Sequence, residues 1–188
     1  MLGEVWDVYD AARRRTGAAA RRGEPLPPGG YHLVVHVCLF SPDGRMLIQK
    51  RSREKRSWAG LWDLSSGGCA LAGEESAGAA ARELFEELGL EAGPALERPA
   101  LSVSFDQGFD DMYLLDMPEE LPGLRLQAEE VESVRWAEKA EILELLRSGL
   151  FVPYHRSLVE LLFDTHRFGG GLGRWEKQIV NCQTKCNR

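Results

Sequence analysis

The chain has 188 residues, 44% of them hydrophobic and 28% charged, enough for one domain with a substantial core, and its longest apolar run falls far short of the ~20 residues a bilayer span requires. A net charge of −6 and a pI near 5.3 argue against broad affinity for nucleic acid or anionic membranes. The first residues, MLGEVWDVYD, carry acids and no apolar core and are not read as a signal peptide, and Cys38, Cys69, Cys182 and Cys186 are too scattered for a disulfide framework, so a reduced, cytoplasmic protein is expected.

Residues 4 to 9, EVWDVY, alternate apolar and polar, ARRRTG offers a turn, and RRGEPLPPGG reads as a linker. Residues 1–30 are therefore expected to form a short N-terminal hairpin and a linker. From Tyr31, YHLVVHVCLF reads as a strand with Leu33, Val35, Val37 and Leu39 on a core face and His32, Val34, His36, Cys38 and Phe40 on the other. The two histidines stand roughly 13 Å apart at about 3.3 Å per residue, too far to share a metal. They are either satisfied structural groups or, His36 in particular, contacts lining a substrate cleft.

Ser41-Pro42-Asp43-Gly44 is a turn, after which MLIQKR should pair back as a second strand. Lys50, Arg51, Arg53, Lys55 and Arg56 follow as a basic cluster; Arg51 and Lys50 are the foremost candidates to hold a negatively charged substrate. Trp58 and Trp62 read as packing residues, and Ser65 to Gly68 as a loop whose backbone can approach a ligand closely.

The most informative stretch is Gly68 to Leu90, GCALAGEESAGAAARELFEELGL. Ser76 can cap a helix, an Ala-rich run propagates it, and Gly89 supplies a left-handed stop. Helical spacing puts Ala77, Ala81, Leu84 and Leu88 on an apolar stripe and gathers Glu83, Glu86 and Glu87 on the neighbouring face. Two like charges about 4 Å apart repel by roughly 4 kcal/mol at an effective dielectric near 20, so a cation is expected among these carboxylates. Oxygen ligands select a hard ion, Mg²⁺ or Mn²⁺, which keeps waters and leans on substrate phosphates to complete its shell.

Beyond this helix, Ala100 to Phe105 and Met112 to Leu115 read as strands flanking an acidic turn, DQGFDD. Val131 to Trp136 is a further strand, preceded by Glu129 and Glu130, and residues 138 to 147 read as a helix. Pro153 is placed to open a last helix through Leu158, Leu161 and Leu162. Residues 166–188, with a glycine cluster from Gly169, are expected to be a mobile tail that holds Cys182 and Cys186.

The spacing Gly68, five residues, Glu74, seven residues, Arg82-Glu83-Leu84, one residue, Glu86-Glu87, one residue, Gly89-Leu90 resembles the Nudix box at every defined position. The resemblance covers roughly residues 31–165 and implies the α+β Nudix fold, a mixed β-sheet sandwiched between α-helices. It implies that Glu83 and Glu87 are the principal ligands of Mg²⁺ or Mn²⁺, with Glu86 completing the set and the carbonyl of Gly67 or Gly68 assisting. Gly68, Glu74, Arg82 and Gly89 would be structural, Arg82 bracing Glu74 or Glu86. Glu83, Glu86, Glu129 and Glu130 are the candidates for a catalytic base.

QKRS, GLWDLS and EEVESVRW are similar to the branch of the family that includes isopentenyl-diphosphate isomerases, although Ala59 stands where many of that branch have proline. Those isomerases carry a cysteine just before the box glycine and a metal-binding histidine just after it; here the positions are Gly67 and Cys69. The resulting expectation is a divalent-metal-dependent hydrolase of a diphosphate linkage, in a nucleoside diphosphate derivative or another organic diphosphate. An isomerase-like enzyme and a non-catalytic diphosphate-binding regulator are the other readings. The expected partner is a small-molecule diphosphate, with no nucleic acid or membrane, and a homodimer stays open.

Overall fold

The computed structural model describes residues 3–93 and 96–169; the expected tail with Cys182 and Cys186 lies outside them from residue 170 onward. The N-terminal segment forms the expected antiparallel hairpin, β1 (Val5–Tyr9) with β2 (Arg15–Arg21). Its turn is closed by Asp10, whose carboxylate accepts the N–H groups of Ala12 and Arg14, both at 2.9 Å. A bridge between Tyr9 and Tyr31 ties the hairpin to the start of the main sheet.

That sheet has seven strands, built about β3 (His32–Phe40). One edge of β3 runs parallel to β8 (Gly108–Asp116) from His32↔Gly108 to Phe40↔Asp116, and β8 pairs in turn with β7 (Leu101–Phe105). The Ser41–Gly44 turn forms, with the Gly44 N–H on the Ser41 carbonyl at 2.8 Å. The two strands it joins then part: β4 (Met46–Arg51) meets β3 only at Phe40↔Met46 and pairs instead with β5 (Trp62–Asp63) and β9 (Val131–Ala137). The reason is β6 (Ser66–Cys69), which takes the edge of β3 from Val34 to Val37. A short glycine-bearing strand is thereby wedged into the splay between β3 and β4.

Both faces of β3 are buried. Leu33, Val35, Val37 and Leu39 pack with Leu47 under helix α1 (Ser76–Leu88) through Ala79, Ala80, Leu84 and Leu88. Cys38, Phe40, Met46 and Ile48 pack on the other side against Ile142 of α2 (Lys139–Arg147) and Val159, Leu162 and Phe163 of α3 (Arg156–Phe168). Helices on both faces of a mixed sheet give the α/β/α sandwich expected.

Three local expectations are corrected. Ser76 is the first helical residue and caps nothing; its hydroxyl donates to Asp111 at 2.6 Å and pairs with Tyr113 at 2.8 Å, and the N-cap Glu75 makes no side-chain cap bond. The acidic turn shrinks to Asp106 and Gln107 because Asp110 and Asp111 find partners inside the fold, His36 for one and Arg13, Ser76 and Ser102 for the other, and so can sit within β8. Pro153 lies three residues ahead of α3, whose N-cap is His155. Gly89 ends α1 in the left-handed conformation at φ 69°, its N–H on the Phe85 carbonyl.

Candidate active site

The site is built where β6 crosses beneath α1. Gly68 lies so close to the helix that a Cβ there would fall 2.3 Å from a Glu83 carboxylate oxygen, and a Cβ on Gly67 would fall 2.3 Å from the His36 ring on the opposite side. A side chain at Gly67 would collide with the His36 ring and the Val35 carbonyl, and one at Gly68 would have to push aside the end of the Glu83 side chain. Glu87, 3% exposed, accepts the Gly67 N–H and the Gln49 amide, each at 3.1 Å.

Arg82 organises the remaining carboxylates. Its Nε and Nη2 donate to Glu74 at 2.7 and 2.9 Å, its Nη1 to Glu83 at 2.8 Å and to Glu86 at 3.0 Å, and its Nη2 also to the Cys69 carbonyl at 3.0 Å. Glu74 further accepts the Leu71 N–H at 2.9 Å. Burial would raise Glu74, but the Arg82 fork and this N–H hold it below the usual carboxylate range. Burial pushes Glu83 up to about 7 against the pull of Arg82, with Glu87 adding to the rise, and burial likewise raises Glu87.

The hairpin braces this loop from outside. Ala72 donates its N–H to Val5 at 2.8 Å and Gly73 to the Asp7 carboxylate at 2.9 Å, while Arg15 pairs with Asp7 and Glu75, both at 3.0 Å. The hairpin is thus joined to the box rather than strung beside it.

The basic cluster disperses. Lys50 pairs with Glu132 at 2.8 Å; Arg51 is held by Asp63 at 2.9 Å and by the Ser57 carbonyl. Arg53 reaches Glu132, and Lys55 is in close contact with Glu130. His36 lies on the sheet face away from α1, between Asp110 at 2.8 Å and the Tyr154 hydroxyl at 3.0 Å; that hydroxyl donates on to Asp63 at 2.9 Å. Burial would lower His36, yet the Asp110 carboxylate drives it up to about 9, so the ring is a buried cation. Of the sequence candidates, the structure gathers Glu74, Arg82, Glu83, Glu86, Glu87 and Gly68, ties the segment of Glu130 to the end of α1 through the Gln127 N–H on the Glu87 carbonyl, and leaves His36, Lys50 and Arg51 committed elsewhere.

Two participants escaped the sequence reading. Gln49 was legible in principle: alternation along β4 sets it on the core face with Leu47, where a polar side chain demands a partner. The Asp63–Tyr154–His36–Asp110 chain joins four separate segments, and no spacing announces it.

For a divalent ion, the donors are of the right kind: hard carboxylate oxygens, with burial raising the proton affinity of Glu83 and Glu87, beside backbone at Gly67 and Gly68 that carries no Cβ atoms. Among the described residues no three His, Cys, Asp or Glu side chains converge as a ready cage, since Arg82 claims Glu83 and Glu86. Mg²⁺ needs no cage, being held by one or two carboxylates with waters and substrate phosphates, so the site fits it. Two surface hollows, of about 400 Å³ beside Ser41, Asp116 and His166 and about 550 Å³ between Leu143, Arg147 and Tyr154, are lined by none of the box carboxylates.

Residues 30–162 match the NUDIX domain family. The chain is 45% identical over 151 residues to the uncharacterized Nudix hydrolase lmo0368 of Listeria monocytogenes, covering 80% of this chain and 89% of that one. It is 32% identical over 154 residues to an isopentenyl-diphosphate Delta-isomerase of Streptomyces coelicolor, covering 77% and 76%. In fold it is similar to DR0079 of Deinococcus radiodurans, with a TM-score of 0.71 and 22% identity over 85% of this chain and 97% of that one. The chain belongs to the Nudix family. In class it is a Nudix-type diphosphate hydrolase.

Among the described residues, no helix is long and apolar enough to cross a membrane.

Proposed function

We propose that the chain hydrolyses the diphosphate linkage of a small organic diphosphate in a reaction that requires Mg²⁺ or Mn²⁺, and that it does so in the cytoplasm. The observation that carries this reading is the complete box set held in one place, with Glu87 buried, Glu83 half-buried and Gly68 backed against Glu83. Glu83, Glu86 and Glu87 with the Gly67–Gly68 backbone would hold the ion, which supplies charge neutralisation at phosphorus and a more acidic water. Arg82 keeps Glu74, Glu83 and Glu86 in register. Glu83, with a proton affinity near neutrality, and Glu86 and Glu130 are the groups to accept the proton of the attacking water. The acidic net charge favours a small diphosphate over nucleic acid as partner.

The relatives named as isopentenyl-diphosphate isomerases make isomerisation the second reading. Two features of this chain speak against it. No side chain fits at position 67, where the His36 ring takes the space a thiol would need. Cys69 lies on the far side of Gly68, beside His32 at 3.7 Å, and burial pushes its thiol up to about 12.

The deciding experiment is a panel of nucleoside diphosphate derivatives, dinucleotides and isopentenyl diphosphate, each with Mg²⁺, Mn²⁺ or chelator. Released phosphate or monophosphate is scored beside dimethylallyl diphosphate. Metal-dependent release without isomer formation is expected; isomer formed at enzymatic rates overturns the reading.

A further inference from the structure

One side chain reaches the box from the face of the sheet that α1 does not cover. His36 stands directly across from Gly67 in the β3–β6 pair, and its ring fills the place of a Gly67 Cβ, which would lie 2.3 Å from Cδ2 and 2.9 Å from Nε2. The ring is tied at both nitrogens, Nδ1 to Asp110 at 2.8 Å and Nε2 to the Tyr154 hydroxyl at 3.0 Å. Tyr154 is fixed in turn by Asp63 at 2.9 Å, and Asp63 by Arg51 at 2.9 Å. An imidazole held at both ends has no freedom to turn away from the glycine. On the opposite face, the Gly67 N–H donates to Glu87 at 3.1 Å and Gly68 lies against the Glu83 carboxylate.

Resting on the proposed role of Glu87 and the Gly67–Gly68 backbone in holding the ion, we infer that His36 is a positioning residue of the box. Its clamped ring sets the height of the Gly67–Gly68 backbone, and with it the Gly67 N–H on Glu87, from the side away from the reacting groups. Two successive glycines have no side chains of their own to fix their level between two layers, so that level is set by what packs against them. Partners that orient a metal ligand without touching the metal carry about 10- to 100-fold of affinity or activity. Tyr154 belongs to the same device through one hydrogen bond. His36 and Arg51 then serve the site as its support and not as substrate contacts.

The test is Tyr154→Phe in the full chain, which deletes only the hydroxyl that holds His36 Nε2 and leaves the ring in place. Hydrogen exchange of the Gly67 amide is followed by NMR without metal, with the Ala70 amide, bonded to the Leu33 carbonyl just beyond β6, as reference. Exchange at Gly67 is expected to speed up several-fold while Ala70 keeps its rate. Calorimetry with Mn²⁺ alone should show binding about tenfold weaker, and on a cleaved diphosphate kcat should fall with KM little changed. Val159→Ala, which thins the core on the same side of the sheet, should lower melting and leave Mn²⁺ affinity at the wild-type value. Gly67 exchange or Mn²⁺ affinity unchanged in a folded Tyr154→Phe overturns the inference and leaves the metal reading standing, as does an equal loss of affinity in Val159→Ala. A wild-type chain that takes up no Mn²⁺ overturns the metal reading, and Gly67 exchange then decides alone whether His36 sets the backbone. Should Tyr154→Phe fail to fold, Asp110→Asn, which weakens the other tie on the ring, takes its place in the same measurements.

Discussion

Gly68 and Glu83 touch: the space a Cβ would need on the first is already filled by the carboxylate of the second, at 2.3 Å. The contact explains why the box begins with glycine, since any larger residue must displace a proposed metal ligand. The displaced group is the end of a side chain, so the fold should tolerate the change while the site does not. Gly68→Ala is expected to shift melting by only a few degrees and to lower turnover about 10²-fold, the cost of moving a reacting group by ~1 Å. Thermal melting and steady-state rates on the same preparation check this.

His36 makes stability depend on alkaline pH. Its pKa is about 9 folded against 6.5 for the free side chain, so the folded protein holds the proton more tightly. The stabilisation is fully present below about pH 6.5 and is lost as pH rises through about 9. At roughly 1.4 kcal/mol per unit it is on the order of 3 kcal/mol. His36→Gln should therefore be markedly less stable than the wild type in mild acid, and the gap should narrow above pH 9. Denaturant melts across that range measure it.

Glu83 predicts the opposite dependence for the metal. Its carboxyl is pushed up to about 7 by burial, and an ion must compete with the proton it holds. Mn²⁺ affinity should rise with pH up to about 7, by at most tenfold per unit from this group, and level off above. Calorimetry at several pH values gives the profile. Glu83→Gln should flatten it.

How far the sequence anticipates the molecule differs from element to element. The helix from Ser76 to Leu88 and its stop at Gly89 were legible, because local propensity and a left-handed glycine point the same way. The box spacing was legible because its members share one helix and one loop. The splay of β3 from β4 was not, since it depends on β6 arriving from a later segment to take the shared edge. Ser76 was misread for a related reason. A hydroxyl suited to capping has better partners in Asp111 and Tyr113, and only the folded chain brings them within reach. The basic run 50–56 reads as one anion-binding patch, yet alternation and loop geometry send Lys50, Arg51 and Lys55 to three different acids.

A divalent ion on the box carboxylates is expected to be essential to diphosphate hydrolysis. Glu87 tests it best, being almost fully buried and held by Gly67 and Gln49, so that an amide keeps the shape while removing the charge. The measurement is the turnover of Glu87→Gln at saturating Mg²⁺ on whichever diphosphate of the panel the wild type cleaves fastest. A loss of ~10² to 10⁴-fold is expected, with melting close to that of the wild type. Near-normal turnover in a folded variant would mean that hydrolysis does not depend on an ion held by Glu87.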